Sequence, residues 1–213
     1  MSLMMGKLIP REVETEDMLS DLPDFVLLHI MGFMKTKDAV QTCVLSTRWM
    51  HLWKNLTTLK LNSSHFQGIV PFSEFVSSIL SYRDGSISLL NVDLRFPGYM
   101  NHDILNNFFE YVVSHGIQQL KLDTRLTKLP SCIFSCQSLK FLKISNPSTW
   151  DKKFVLLFRR TIRTQVPRFI RLKSLNVELA SFAKITSDKE VSRIVGYLLQ
   201  NSPPVRVDII RHT

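Results

Sequence analysis

Residues 117–123, "IQQLKLD", place apolar side chains at the first, fourth and sixth positions and polar ones at the rest. From Gln119 onward that is strict alternation, the pattern of a strand with one buried and one wetted face. The signature recurs as "LTTLKLN" from Leu56, "ISLLNVDL" from Ile87, "LKFLKIS" from Leu139 and "LKSLNVE" from Leu172, with a weaker "VRVDII" from Val205. The first five starts are 31, 30, 22 and 33 residues apart. Self-similarity at such spacing marks a repeat architecture. Gaps of this length leave room for a helical return between parallel strands.

The intervals carry helix candidates. "FSEFVSSIL" (72–80) and "DILNNFFEYVVSH" (103–115) have apolar residues at helical spacing, with Asp103 as a cap. "LPSCIFSC" (129–136) has the length of a single turn. "SDKEVSRIVGYLLQNSP" opens on Ser187 with Glu190 three residues on, the spacing of a capping box. Asn62 and Asn146 stand at the turn after two of the strands. A compact α/β domain of another topology remains the alternative.

The first fifty-odd residues follow a different pattern. "LPDFVLLHIMGFM" (22–34) reads as a helix with Pro23 in its first turn and Asp24 facing the positive helix end. Thr36 is a candidate cap for a second helix with Val40, Cys43 and Val44 on its apolar face, and Ser46 for a third. In the third, Trp49, Leu52, Trp53 and Leu56 form one stripe at i, i+3, i+4 and i+7. Helices this short are marginal alone, so the stripe must meet either the rest of the chain or a partner. Large aromatics are favoured interface anchors.

The ordered elements Leu22-Pro23-Asp24, "LLHIMGFM", "TKDAV" and "VLSTRWMHLW" resemble the F-box of plant F-box/leucine-rich-repeat proteins. The closing "LLQNSPPVRVDII" is similar to the last repeat of that family. The resemblance implies an F-box over 17–55 that docks on the Skp-type adaptor of a cullin-based ubiquitin ligase. It implies irregular leucine-rich repeats over 56–213 that capture a target protein; against the family pattern, the chain is short and no FBD-type domain is expected after the repeats. The expected fold is thus an α/β solenoid of parallel strands behind three helices. The implied adaptor contacts are Leu22, Pro23, Ile30, Val44, Leu45, Trp49 and Leu52, with Trp53 packing inward. The chain departs from the family pattern at Phe25, where an acid is usual, and at Met34-Lys35, where Leu-Pro is common.

Composition agrees with a non-catalytic intracellular role. The chain has 213 residues, 45% of them hydrophobic, enough for a core without disulfides. Three sparse cysteines, Cys43, Cys132 and Cys136, fit a reducing compartment, and Cys132 and Cys136 read as small apolar residues. The N-terminus lacks a signal-like apolar run, and "FVLLHIMGFM" is about half a membrane span. A cytoplasmic or nuclear location is expected. No phosphate-binding glycine loop, nucleophile elbow or zinc-ligand spacing occurs, so no cofactor, metal or catalytic residue is assigned.

Charge is uneven. Of the overall +9, residues 151–173 carry a net +7, whereas 17–54 is neutral. The basic stretch reads as an insert or degenerate repeat over 151–171. Its Arg159, Arg160 and Arg163 lie off the face formed by Phe154, Leu157 and Phe158 and are a candidate docking surface for an acidic partner. The competing reading is a nucleic-acid or anionic-surface binder with a vestigial F-box. Against it, the arginines are not interleaved with stacking aromatics and no helix-turn-helix spacing is present. A shortened family member that holds no target is the third possibility.

Overall fold

Apolar–polar alternation drives one face of the first five strands out of water, and a sixth adds to their edge. The computed structural model describes residues 18–19, 21–98, 100–124, 129–145, 169, 171–179, 192, 195–196, 199 and 204–211. The strands are β1 (Thr58–Asn62), β2 (Asn91–Phe96), β3 (Gln119–Thr124), β4 (Phe141–Ser145), β5 (Ser174–Leu179) and β6 (Arg206–Arg211). Each pairs in parallel with the next, so strand order follows chain order. The register aligns equivalent positions into rows. Leu59, Val92, Leu120, Leu142 and Leu175 form one buried row, and Leu61, Leu94, Leu122, Ile144 and Val177 another.

The second signature starts two residues later than the sequence suggests. Leu89, Val92 and Leu94 are buried, whereas Ile87 and Leu90 are only half-buried. Both phases fit the 1-4-6 rule because residues 87, 89, 90, 92 and 94 are all apolar. Long-range pairing decides between them: the Leu89 N–H donates to the His115 carbonyl at 2.8 Å, and Asn91 aligns with both Thr58 and Gln119. The corrected spacings are 33, 28, 22 and 33 residues.

Three helices return the chain between β1 and β4. Helix α4 (Ile69–Tyr82) buries Phe72, Val76 and Ile79, and α5 (His102–Ser114) buries Leu105, Phe108, Phe109 and Val112. The single turn α6 (Ser131–Phe134) buries Ile133 and Phe134. All join the core formed by the strands. Helix α5 is capped by Asn101, whose side chain accepts from the Asp103 N–H at 2.8 Å, so the cap lies two residues before the expected Asp103. Its other end is a Schellman turn: Gly116 at φ 77° donates to the Val113 carbonyl and Ile117 donates to the Val112 carbonyl. Only glycine takes that φ without strain, and the turn delivers Ile117 directly into the core. In the 187–203 stretch the described residues Ser192, Val195, Gly196 and Leu199 are helical; Ser187 and Glu190 lie outside the described residues.

The N-terminal module holds α1 (Asp24–Phe33), α2 (Thr36–Gln41) and α3 (Trp49–Leu52). Pro23 is the N-cap of α1 in extended conformation, one place before its first turn. Neither Thr36 nor Ser46 provides the expected side-chain cap. Helix α2 begins at Thr36 itself, and α3 follows Arg48. The buried Thr36 hydroxyl instead accepts from the Lys60 N–H at 2.8 Å. That bond satisfies a backbone donor on the outer edge of β1, which would otherwise be an open sheet edge.

A buried arginine makes the second join between module and strands. Arg83 donates from Nε to the Leu56 carbonyl and from Nη2 to the Ser88 carbonyl, both at 3.0 Å. Its Nη1 reaches the Asp84 carbonyl at 3.3 Å and the Tyr111 hydroxyl at 3.5 Å. The guanidinium thereby ties the last residue of the tryptophan stripe to the approach of β2 and to α5. Beside it, Asp84 accepts from the Ser86 hydroxyl and N–H, which holds its carboxyl below the usual range.

Candidate functional site

Two surfaces are candidates for binding, and they differ in chemistry. The first lies on the N-terminal module. A helix of ten residues cannot bury its whole girth against two shorter ones. Helix α1 turns Leu27 and Met31 inward and leaves Phe25, Ile30 and Phe33 in solvent. The turn Thr42–Val44 that follows α2 leaves Val44 83% exposed and Leu45 61% exposed. Pro23 is exposed as well, whereas Leu22 is half-buried against the core. Arg48 fixes this corner: its Nε donates to Asp24 at 2.7 Å and its Nη2 to the Leu22 carbonyl. Sequence reading did not single out Arg48, which follows the Ser-Thr turn and looks like any surface arginine.

Trp49 and Leu52, expected at the adaptor face, are placed in the chain's own core at 6% and 4% exposure. Trp53 and Leu56 are buried with them, so the whole stripe turns inward. Helical spacing shows which residues share a face, not what that face meets. Here α3 meets α1 and the Thr42–Val44 turn, and the stripe joins the buried core, which leaves little of either tryptophan for a partner. The other expected contacts, Leu22, Pro23, Ile30, Val44 and Leu45, lie at or near the surface. Arg159, Arg160 and Arg163 lie outside the described residues.

The second surface is the wet face of the strands. Signature positions 3, 5 and 7 project there in rows set by the register. The middle row runs Lys60, Asp93, Lys121, Lys143, Asn176, Asp208. Some of its charges are paired. Asp93 is held by Arg95 through two contacts of 3.0 Å, which raises the Arg95 pKa, and Glu178 takes Lys143 at 2.6 Å and the Ser145 hydroxyl at 2.8 Å. Lys60 reaches back to the module, where its Nζ donates to the Phe33 carbonyl at 2.9 Å and lies 5.6 Å from the centre of the Phe33 ring.

Among the described residues no group of three His, Cys, Asp or Glu side chains is placed to hold a metal. Cys136 is buried and Cys132 half-buried, and burial pushes the Cys132 thiol pKa up, away from the thiolate a nucleophile needs. Among the described residues no helix is long and apolar enough to cross a membrane.

Residues 19–61, which hold the three N-terminal helices and reach into β1, match the F-box domain. The chain is a plant-type F-box protein. It is 32% identical to F-box/LRR-repeat protein 13 of Arabidopsis thaliana over 150 residues, covering 66% of this chain and 33% of that protein. It is 28% identical over 192 residues to an F-box/FBD/LRR-repeat protein of the same plant, covering 86% and 45%. An FBD-associated F-box protein of that plant is 30% identical over 136 residues, covering 60% and 34%. The chain thus spans less than half the length of each of these relatives.

Proposed function

We propose that this chain is a substrate-recognition subunit of an SCF-type ubiquitin ligase. The F-box, residues 17–55, docks on a Skp-type adaptor and through it a cullin. Residues 56–213 form an irregular leucine-rich-repeat solenoid whose wet strand face holds a target protein. The role asks no catalysis of this chain, because positioning a target beside a ubiquitin-charged enzyme is sufficient, and a cytoplasmic or nuclear location goes with it.

One observation carries the reading. Of thirteen large hydrophobic side chains exposed among the described residues, eight lie between Met18 and Met50. A soluble chain does not concentrate apolar surface in one small module without something to cover it. Within that set Val44 and Leu45 are the most prominent neighbours, and Pro23 and Ile30 extend the surface.

The test is affinity for a Skp-type adaptor. The Val44→Asp/Leu45→Asp and Leu22→Ala/Pro23→Ala double variants are each expected to weaken binding by about 2–4 kcal/mol, as central anchors do. Val44 and Leu45 are exposed, so their replacement leaves the fold intact. Unchanged affinity in the folded Val44/Leu45 variant removes the assignment.

A further inference from the structure

Between α1 and the wet face of β1–β3 lies an open cleft of about 420 Å³. His29, Gly32 and Phe33 form its helical wall, and Lys60, Asn91 and Lys121 are on its strand side. That volume is in the range of small-ligand sites and holds a few side chains.

The charges in the cleft are unbalanced. Lys60 on β1 and Lys121 on β3 flank Asp93 on β2 in the same row. Both Asp93 oxygens are occupied by Arg95. Among the described residues the Lys60 ammonium contacts the Phe33 carbonyl and ring alone, and the Lys121 side chain has no hydrogen bond or ion pair. Two ammonium groups with no carboxylate of their own therefore face a partly enclosed space beside an aromatic wall. Phe25, His29 and Phe33 recur every four residues along α1 and make an exposed stripe leading into that wall. Ile30 stands about 100° round the helix from His29 but only about 60° from Phe33, so the adaptor contact proposed for Ile30 borders this stripe.

We infer that this cleft is the subsite of the target face that takes an acidic group on a peptide segment, with an adjacent apolar side chain lying along the Phe25–Phe33 stripe. The inference rests on the strand face being the target face. A carboxylate and a phosphate share the chemistry that two lysines recognise, Lys acting as a point charge toward either.

The test uses the full chain and fluorescein-labelled ten-residue peptides with a glutamate-phenylalanine-glutamate core and randomised flanks. One counterpart set carries phosphoserine for the first glutamate, and another carries glutamine for both. The acidic sets should bind about tenfold tighter than the glutamine set, with the difference shrinking at high salt. Tighter binding of the phosphoserine set assigns a phosphate, and otherwise the group is a carboxylate. Lys121→Gln, which removes no described internal contact, should weaken acidic binding about threefold. Lys60→Gln/Lys121→Gln should weaken it about tenfold, the upper range for two half-exposed ion pairs. Neither variant should alter binding of the glutamine set. Failure of both acidic sets to bind, equal binding of acidic and glutamine sets, or acidic binding unmoved by Lys121→Gln overturns the inference. Adaptor affinity measured on the same sample separates the outcomes, because its loss with peptide binding intact overturns the ligase reading alone.

Discussion

The strand layer hides its leucine rows and exposes a largely polar face, with Phe141 on it, whereas the F-box hides its tryptophans and exposes aliphatic and phenylalanine side chains. In the strands, Leu59, Leu120, Leu142 and Leu175 are sealed beneath a row of lysines, aspartates and asparagine. In the F-box, Trp49 and Trp53 are sealed, yet Phe25 is 73% exposed and Val44 more so. A polar face discriminates by charge pattern, because each wrongly matched charge costs affinity. An apolar face suits one constant partner that always covers it. The contrast is sharp enough to test at the residues that join or separate the two regions.

The largest effect should come from Trp49→Ala. Its side chain packs in the core that the F-box shares with the strands, so removal leaves a cavity and costs about 3–5 kcal/mol. Denaturant unfolding measures this directly. If Trp49 were instead chiefly a partner anchor, stability would stay within about 0.5 kcal/mol and only adaptor affinity would fall. Val44→Asp makes the opposite prediction, with stability little changed and affinity lost.

Arg83→Met should follow, at about 3 kcal/mol. The substitution keeps the length of the side chain but strips the Leu56 and Ser88 carbonyls of charged donors, each worth about 1.5–3 kcal/mol. Because those carbonyls flank the junction, the loss should fall on the coupling between regions. The wild type should unfold in one transition and the variant in two, with the F-box melting first. A single transition shifted as a whole would mean the regions are coupled mainly through the apolar core.

The sequence made the strands legible because each needs only local alternation, and the same alternation named positions 3, 5 and 7 as the wet face. The phase of the second repeat was not legible, because five apolar residues within eight satisfy two phases and only pairing to β1 and β3 chooses between them. The orientation of Trp49 was hidden for a related reason: a helical stripe has a direction only once its neighbours are placed. Arg83 carried no local mark. It follows α4 as an ordinary arginine, and its carbonyl partners lie up to 27 residues away. The cleft could have been anticipated from Lys60 and Lys121, which share position 5 of their signatures, but its α1 wall could not.

The smallest effect, Thr36→Val, probes the join from its other side. Valine keeps the shape of threonine and removes the hydroxyl that accepts from Lys60 N–H at 2.8 Å. An unsatisfied buried donor costs about 1–3 kcal/mol, so the change should lower stability by that order without opening a cavity. The donor sits on the outer edge of β1, so hydrogen exchange should report it locally, with the Lys60 amide losing protection while Leu120 and Leu142 keep theirs. Uniform loss of protection along all six strands would instead show that the F-box edge nucleates the whole layer. The two regions would then be one cooperative unit, and Arg83→Met should likewise leave a single transition.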